Sequence, residues 1–394
     1  MNVPDLVARQ FGSELRDRLV ALRRDIHRHP ELSLAERDTT ARLLTALAAV
    51  GVTDVRRVGE TGAVARVPGR TRSAPVVAVR GDIDALPIQE ATDLPFASTV
   101  PGVMHACGHD VHASWAVGAA ALLAANPADG DVLVVLQPAE EIGQGALAVL
   151  ESGAVDDARA IFGGHVDRRF TVGQVVADDG PLAASADTFT IEIIGAGAHA
   201  ARPHEARDPI VALAAVVTAL QSIVARRLNP ATPGVITVGT LTAGTASNII
   251  PDRASATGTI RAVDPQSRAL MQDELRRVTQ SIASGLGTEA RVTIDRGPPP
   301  VVNPEQQAAW AREAASALVG PENVVPLGFL NLAAEDFSNY MERIPGCFLR
   351  IGARESGGPV IPAHSPTFVP AEDSLFVGAA VLAECARVAS RSLR

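Results

Sequence analysis

Three histidines and a cysteine lie within eight residues of the chain, in the stretch VMHACGHDVHAS (residues 103–114). The whole chain has only nine histidines and three cysteines, so this stretch concentrates side chains that bind metal ions or act as nucleophiles. Cys107 and His109, two residues apart, could form a Cys–His nucleophile pair or bind a divalent metal ion. Alternatively, the cysteine is a small buried residue and the histidine an ordinary polar group.

Further candidate ligands occur elsewhere in the chain. Glu140 and Glu141 follow the apolar run VLVVLQP, His165 ends the run ARAIFGGHV, and His364 lies in the Pro-flanked loop IPAHSPTF. Of two adjacent carboxylates, one can bind a metal ion while the other handles a proton. Thiolate, imidazole and carboxylate together favour Zn, Ni, Co or Mn over Mg or Ca. The residues alone therefore predict metal-assisted hydrolysis of a small substrate.

Alternating strands and helices must position these side chains. Apolar runs predict buried strands at 76–80 and 132–136, and a helix is predicted over 111–125 with Asp110 as its N-cap. This alternation predicts an α/β domain with a mostly parallel sheet. In such sheets ligands bind beyond the carboxyl ends of the strands, where the candidate residues fall.

The pattern changes near residue 185. Alternating and helical segments follow in the order β-α-β-β-α-β over 185–296, which is the order of a ferredoxin-like module. We therefore expect a catalytic domain of residues 1–184 and 297–394, into which a ferredoxin-like α+β domain of residues 185–296 is inserted.

The composition is that of a globular protein with an acidic surface. The net charge is −9, and hydrophobic residues make up 47% of the chain, enough for a large core. This charge disfavours nucleic acid and anionic membranes as partners. The longest apolar run, 115–125, is too short to span a bilayer, and residues 1–19 lack the apolar core of a signal peptide. Three widely spaced cysteines indicate no disulfide framework, so a cytoplasmic location is expected.

Eight sequence motifs, in their order along the chain, resemble those of a metallo-amidohydrolase family. They are LRRDIHRHPELS, RGDIDALPIQE, PGVMHACGHDVHA, QPAEE, GAGAHAARPH, TASNIIPDRA, GTIR and AEDFS. The family includes hippurate hydrolase, N-acyl-L-amino acid amidohydrolase and indole-acetyl-amino-acid hydrolase, and is related to aminoacylase and carboxypeptidase G. The resemblance extends over nearly the whole chain, and MHACGHD together with QPAEE is its most specific part.

This resemblance implies a homodimer whose inserted domain serves as lid and dimer surface. It implies two divalent transition-metal ions as cofactors (Zn, Mn, Ni or Co), bound by Cys107, His109, Glu141, His165 and His364. The substrate class implied is the N-acyl amino acids, small molecules whose amide bond is hydrolysed to a carboxylic acid and a free amino acid.

The resemblance also implies roles for residues that do not bind metal. Glu140 would be the general base that activates water, and His199 would stabilise the oxyanion in the partner subunit's active site. Asn248 and Arg261 match positions that hold the substrate carboxylate, and Asp84 matches an acid that orients a metal-binding histidine.

Alternatives remain open at this point. Within the same chemistry the chain could be a metallo-dipeptidase or carboxypeptidase, and a hydrolase with Cys107 as nucleophile is a different mechanism. A catalytically inactive metal-binding protein is a third class, although such a protein would not need Glu140. The segment VDRRFTVG (166–173) departs from relatives, which often have Trp-Pro there. Gly81 and Gly164 replace larger residues, from which a wider crevice is expected.

Overall fold

The computed structural model describes residues 3–330 and 332–393. Within these residues the helices are α1 (Asp5–Ala8), α2 (Ser13–Arg28), α3 (Arg37–Ala49), α4 (His109–Ala125), α5 (Gly145–Glu151), α6 (Pro209–Arg226), α7 (Pro265–Gly285), α8 (Glu305–Val319), α9 (Ser338–Met341) and α10 (Ser374–Ser392).

The strands of the two large sheets are mostly longer than those of the small two-stranded sheets. They are β1 (Asp54–Val58), β2 (Gly62–Val67), β3 (Val76–Asp82), β4 (Val132–Gln137), β5 (Ala158–Thr171), β6 (Val175–Val176), β7 (Gly180–Ala183), β8 (Asp187–Ile194), β9 (Ala198–His199), β10 (Gly234–Ala243), β11 (Ile249–Ile250), β12 (Arg253–Ala262), β13 (Glu289–Arg296), β14 (Val301–Asn303) and β15 (Gly346–Arg354).

The chain divides into two compact units. The first consists of Met1–Gly180, Asn303–Phe329 and Asp336–Arg394, and the second of Pro181–Val302 with Leu330–Glu335. The second unit is wider at both ends than the range expected from the sequence. It also takes in Leu330–Glu335, which lies outside the range of 185–296 expected for the inserted domain.

The first unit is built on a seven-stranded sheet with the order β1-β2-β4-β3-β5-β15-β6. The central strands β4, β3, β5 and β15 are parallel, and β1, β2 and β6 pair antiparallel at the two sides. The parallel strands are buried on both faces, which is why they read as continuous apolar runs such as VLVVLQ. The expectation of a mostly parallel sheet is confirmed.

Helix α4 is the central helix of this unit, and it packs against the sheet and against α10. It is buried from His109 to Leu123, because its sequence is apolar on all sides. The prediction that Asp110 caps this helix is wrong, since the N-cap is Gly108. Asp110 lies inside the first turn, where its carboxylate accepts a hydrogen bond of 2.9 Å from Nδ1 of His27.

Strand β5 is longer than its apolar run predicts. The run ends near His165, but the strand continues to Thr171 because β15 pairs with it over this whole length, from Gly346 opposite Ile161 to Arg354 opposite Thr171. His165 therefore lies within a strand rather than at its end, and it pairs with Arg350 of β15.

The second unit has a four-stranded antiparallel sheet with the order β10-β12-β8-β13. Its elements follow the predicted order β-α-β-β-α-β, and α6 and α7 pack on the sheet. Burial alternates along β8, so that Phe189, Ile191 and Ile193 lie in the core of this unit. Asp208 and Asp264 cap the two helices by accepting main-chain N–H groups of their first turns, and a proline follows each cap.

Candidate active site

The turn before α4 carries two of the predicted ligands, Cys107 and His109, and both are buried. Gly108 between them has a left-handed backbone (φ 92°), which L-residues rarely adopt. A Cβ atom at this glycine would lie 2.5 Å from the side chain of Val166. The glycine therefore allows the turn to approach β5 closely.

The structure brings the five predicted ligands of the first unit together. Sγ of Cys107 lies 3.1 Å from Nε2 of His165. Oε1 of Glu141 lies 3.8 Å from Nε2 of His109 and 3.5 Å from Nε2 of His364. The donor atoms form two groups, Cys107–His109–His165 and Cys107–Glu141–His364, and within each group all atoms lie within 4.8 Å of one another. Two groups that share one thiol are suited to two neighbouring cations.

Asp84 accepts hydrogen bonds from two of these ligands, His109 and Glu141. Nδ1 of His109 lies 2.9 Å from the main-chain oxygen of Asp84 and 3.2 Å from its Oδ1. Oδ2 accepts the main-chain N–H of Glu141 at 3.0 Å and the hydroxyl of Ser33 at 2.7 Å. Because Nδ1 of His109 donates to Asp84, its Nε2 is left as the ring nitrogen that can bind a cation.

His112 supports the strand that carries His165. Its Nδ1 donates to Oδ1 of Asp82 at 2.6 Å, so its Nε2 accepts the main-chain N–H of Val166 at 3.0 Å. Nδ1 of His165 in turn donates to the main-chain oxygen of Val166 at 2.7 Å. The tautomer of each histidine is thereby set, and Nε2 of His165 is available to a cation.

The expectation that Gly81 and Gly164 widen a crevice is wrong. A Cβ atom at Gly81 would lie 2.3 Å from the main-chain oxygen of His112, and one at Gly164 would lie 3.3 Å from the main-chain oxygen of Leu349. Both glycines face packed backbone, and Gly81 lets α4 lie close to β3.

Burial and neighbouring charges shift the pKa values of the ligands. Burial raises the pKa of Cys107 well above its ordinary value and lowers that of His165. Burial also acts to lower the pKa of His109, but the carboxylates of Asp82 and Asp84 outweigh it and the pKa is raised. A protonated thiol is a poor nucleophile, so the arrangement argues against a metal-free hydrolase with Cys107 as nucleophile.

The residues present fit transition-metal ions. Nε2 of His109 and Oε1 of Glu141 are buried and have no hydrogen-bond partner among the residues that the structure describes. A buried polar atom without a partner is costly, and a bound cation would satisfy both atoms. Thiolate and imidazole are ligands that Zn, Co or Ni prefer.

Glu140 lies at the edge of the ligand cluster, and its side chain is 11% exposed. Its Oε2 lies 3.9 Å from Nε2 of His109, and its Oε1 accepts a long hydrogen bond of 3.4 Å from the main-chain N–H of Asp336. The carboxylate is therefore close to the cluster and reachable from solvent, as proton transfer requires.

Glu36 holds the turn that carries Glu140, and the sequence reasoning missed it. Glu36 is fully buried and accepts the main-chain N–H of Ala139 at 2.8 Å. Its other carboxylate oxygen has no partner among the described residues. Burial raises the pKa of Glu36 to about 7. The available signal was an acidic residue closely following the motif HRHPELS.

Three non-glycine residues of the described chain have a left-handed backbone, Leu34 (φ 67°), Ala139 (φ 52°) and His364 (φ 66°). Such a conformation costs about 1–2 kcal/mol for each residue. Leu34 lies between Ser33 and Glu36, Ala139 precedes the glutamate pair, and His364 is a candidate ligand. Backbone strain in this molecule is thus concentrated around the candidate site.

Three predicted site residues lie in the second unit. His199 is the last residue of β9 and is exposed, and its Nδ1 accepts the main-chain N–H of Ala201 at 3.1 Å. Asn248 precedes β11, whose Ile249 pairs with His199. Both residues line a cavity of about 980 Å³ in this unit. Arg261 is half-buried on β12, opposite Val235 of β10.

Comparison with known proteins identifies the family. The model of peptidase family M20/M25/M40 matches residues 78–388, which is most of the chain. The chain therefore belongs to this family of metal-dependent hydrolases, and the resemblance seen in its motifs is confirmed.

Individual relatives are similar over almost their full length. N-acetylcysteine deacetylase of Bacillus subtilis (strain 168) is 39% identical over 96% of this chain and 98% of its own. Thermostable carboxypeptidase 1 of Saccharolobus solfataricus is 37% identical over 93% of this chain and 94% of its own.

A solved structure has the same fold. A dinuclear metal-binding peptidase of the M20 family from Bacillus subtilis superimposes with a TM-score of 0.83 at 36% identity, over 96% of this chain and 99% of the other. Fold, family and donor cluster together make the protein a metal-dependent amidohydrolase.

Proposed function

We propose that the protein hydrolyses the amide bond of N-acyl amino acids, releasing a carboxylic acid and a free amino acid. The observation that carries this proposal is the cluster of donor atoms around Cys107, with Glu140 beside it. The similarity to an N-acetylcysteine deacetylase supports the substrate class.

The proposed cofactors are two divalent ions chosen from Zn, Mn, Ni and Co. One would be held by Cys107, His109 and His165, and the other by Cys107, Glu141 and His364. When bound, such ions polarise the scissile carbonyl and make water more acidic.

Glu140 is the proposed general base. Its carboxylate takes a proton from the attacking water and then delivers it to the nitrogen of the leaving amine. The main-chain N–H of Asp336 holds one carboxylate oxygen, and Glu36 holds the turn through Ala139. The base is therefore positioned by buried groups on two sides.

His199 is the proposed oxyanion donor, acting in the partner subunit's active site. Its Nδ1 accepts the N–H of Ala201, so the neutral imidazole carries its proton on Nε2 and can donate from there. Arg261 and Asn248 are proposed to bind the substrate carboxylate, because a guanidinium can pair with it through two parallel hydrogen bonds. Arg261 makes no ion pair with the described residues, which leaves its charge for a ligand.

We propose a homodimer formed through the second unit. Strand β10 is one edge of its sheet and has no charged residue, whereas the other edge, β13, has Glu289, Arg291, Asp295 and Arg296. Charges on an edge strand prevent pairing, so β10 is the edge free to meet a second copy. The adjoining helix α6 exposes Ile210 and Val211. Sedimentation should give a mass twice the 40.9 kDa of one chain.

We propose a cytoplasmic location without membrane or nucleic-acid partners. All three cysteines are buried and unpaired, which suits a reducing compartment. Helix α6 is long and apolar enough to cross a membrane, but its buried residues pack on the sheet of the second unit. The net charge of −9 disfavours anionic partners.

The test is a panel of N-acetyl and N-benzoyl amino acids beside dipeptides, assayed after reconstitution with each metal ion. Faster hydrolysis of the acyl amino acids is expected, and chelation should abolish it. Replacing Glu140 by Gln should leave metal content unchanged and lower kcat by about 10²–10⁴. A Glu140→Gln enzyme with ordinary turnover would remove this residue from the mechanism.

A carboxypeptidase or dipeptidase activity is the second candidate function. It is favoured by the similarity to a carboxypeptidase that is nearly as close in identity as the deacetylase. The same panel separates the two, because faster hydrolysis of dipeptides would select the peptidase.

A further inference from the structure

Two neighbouring arginines in the segment VDRRFTVG (166–173) have different surroundings. Arg169 pairs with Asp167 at 2.6 Å and lies over the ring of Phe329, with 38% of its side chain exposed. Arg168 is buried, with 3% of its side chain exposed. A buried guanidinium must be paired, so the partners of Arg168 indicate what it does.

The partners of Arg168 all lie at or near one loop. Its Nη2 donates to the carboxylate of Glu355 at 2.9 Å and to the main-chain oxygen of Pro359 at 3.0 Å, and its Nη1 donates to the main-chain oxygen of Val369. The loop runs over residues 355–373, between β15 and α10. Arg168 thus links Glu355 and Pro359, near the start of the loop, to Val369, near its end.

The same loop carries the candidate ligand His364. The loop contains no helix or strand, and long loops of this kind need side-chain tethers to keep one conformation. His364 has a left-handed backbone, and its side chain is 54% exposed, whereas His109 is buried in α4. The main-chain N–H of His364 donates to the main-chain oxygen of Ala106 at 2.8 Å.

We propose that Arg168 is a positioning residue that fixes the loop of His364 and so sets the affinity for the cation at Cys107, Glu141 and His364. A ligand on a loop loses conformational entropy when it binds, unless the loop is already held. The cation at Cys107, His109 and His165 has no proposed ligand in this loop. The inference rests on the proposed ligand set and adds a residue that binds no metal.

The test is calorimetric titration of chelator-treated full-length protein with Co²⁺. The wild-type protein should bind two ions. Arg168→Met should weaken one of them about tenfold and leave the other unchanged. Arg168→Lys, which keeps the charge but not the planar fork, should give a smaller effect in the same direction. Arg169→Met is the matched control and should behave as wild type.

His364→Ala separates failure of the ligand set from failure of the inference. If this variant still binds two ions, the proposed ligand set is wrong. If His364→Ala loses one ion while Arg168→Met titrates as wild type, the role of Arg168 is overturned. The role is also overturned if Arg168→Met weakens the binding of both ions equally. Should Arg168→Met not fold by circular dichroism, Arg168→Lys and Glu355→Gln carry the test, and selective weakening of one ion is again required.

Discussion

The candidate residues of the two units differ in how firmly they are held. In the first unit, His109 and His165 are locked by hydrogen bonds on the ring nitrogen that faces away from the cluster. In the second unit, His199 and Asn248 are exposed. Binding cations requires donor atoms fixed before the ion arrives, whereas a group that meets a soluble substrate must be accessible. The contrast predicts that substitution of the proposed metal ligands in the first unit alters metal content, whereas substitution of His199, Asn248 or Arg261 in the second unit alters only kinetic constants.

The largest effect is expected from Cys107→Ala. Because the thiol belongs to both donor groups, both ions should be lost or severely weakened, and kcat/KM should fall by at least about 10⁴. Metal content by mass spectrometry and turnover are the measurements. Cys347→Ala is the control, since Cys347 is also buried but belongs to no donor group among the described residues. Full metal content in Cys107→Ala would contradict the proposal that this thiol is a ligand of both ions, and with it the contrast between the two units.

His199→Gln should lower kcat by about 10²–10³, the usual cost of removing one oxyanion donor. Metal content should stay at that of wild type, because His199 belongs to no donor group in the described residues. His204→Gln, in the same segment and with 76% of its side chain exposed, should be neutral. An equal loss in both variants would show that the segment, and not the imidazole of His199, matters.

Arg261→Lys should raise KM by about tenfold or more with a smaller change in kcat, because the bidentate pairing with the substrate carboxylate is lost. Arg253→Lys on the same strand is the control, since Arg253 pairs with Glu192. Steady-state kinetics with acyl amino acids measure both constants. A fall in kcat at constant KM would contradict carboxylate binding by Arg261.

Glu36→Gln should change the pH dependence of stability in the chelated protein. The folded-state pKa of Glu36 is about 7, above its ordinary 4.5, so its contribution is present below pH 4.5 and is lost as the pH rises through 7. Replacement by Gln should remove a decline on the order of 2 kcal/mol between pH 5 and pH 7. Urea unfolding measures it, with the exposed Glu60→Gln as control. An unchanged pH profile would show that Glu36 is not protonated on folding.

The parallel sheet and the ligand-bearing turns could be predicted because their signals are local. The apolar run before Glu140 predicts a buried strand, and the structure has β4 there. The role of Glu36 was missed, because its position after HRHPELS does not reveal that its partner is Ala139, which lies far away in sequence. Asp110 was assigned wrongly for a related reason. An aspartate near the start of a helix can cap it or can pair with a distant histidine such as His27. Only the fold shows which of the two roles Asp110 has.

The left-handed backbone conformations of Leu34, Ala139 and His364 matter for any attempt to raise the thermal stability of this enzyme. Glycine at Leu34 or Ala139 would relieve strain, but it would also free the unfolded chain and loosen the turn that presents the base. Thermal stability gained by substitution at Leu34 or Ala139 would therefore be accompanied by slower turnover. Screens for heat-resistant variants should therefore be directed to surfaces distant from these positions.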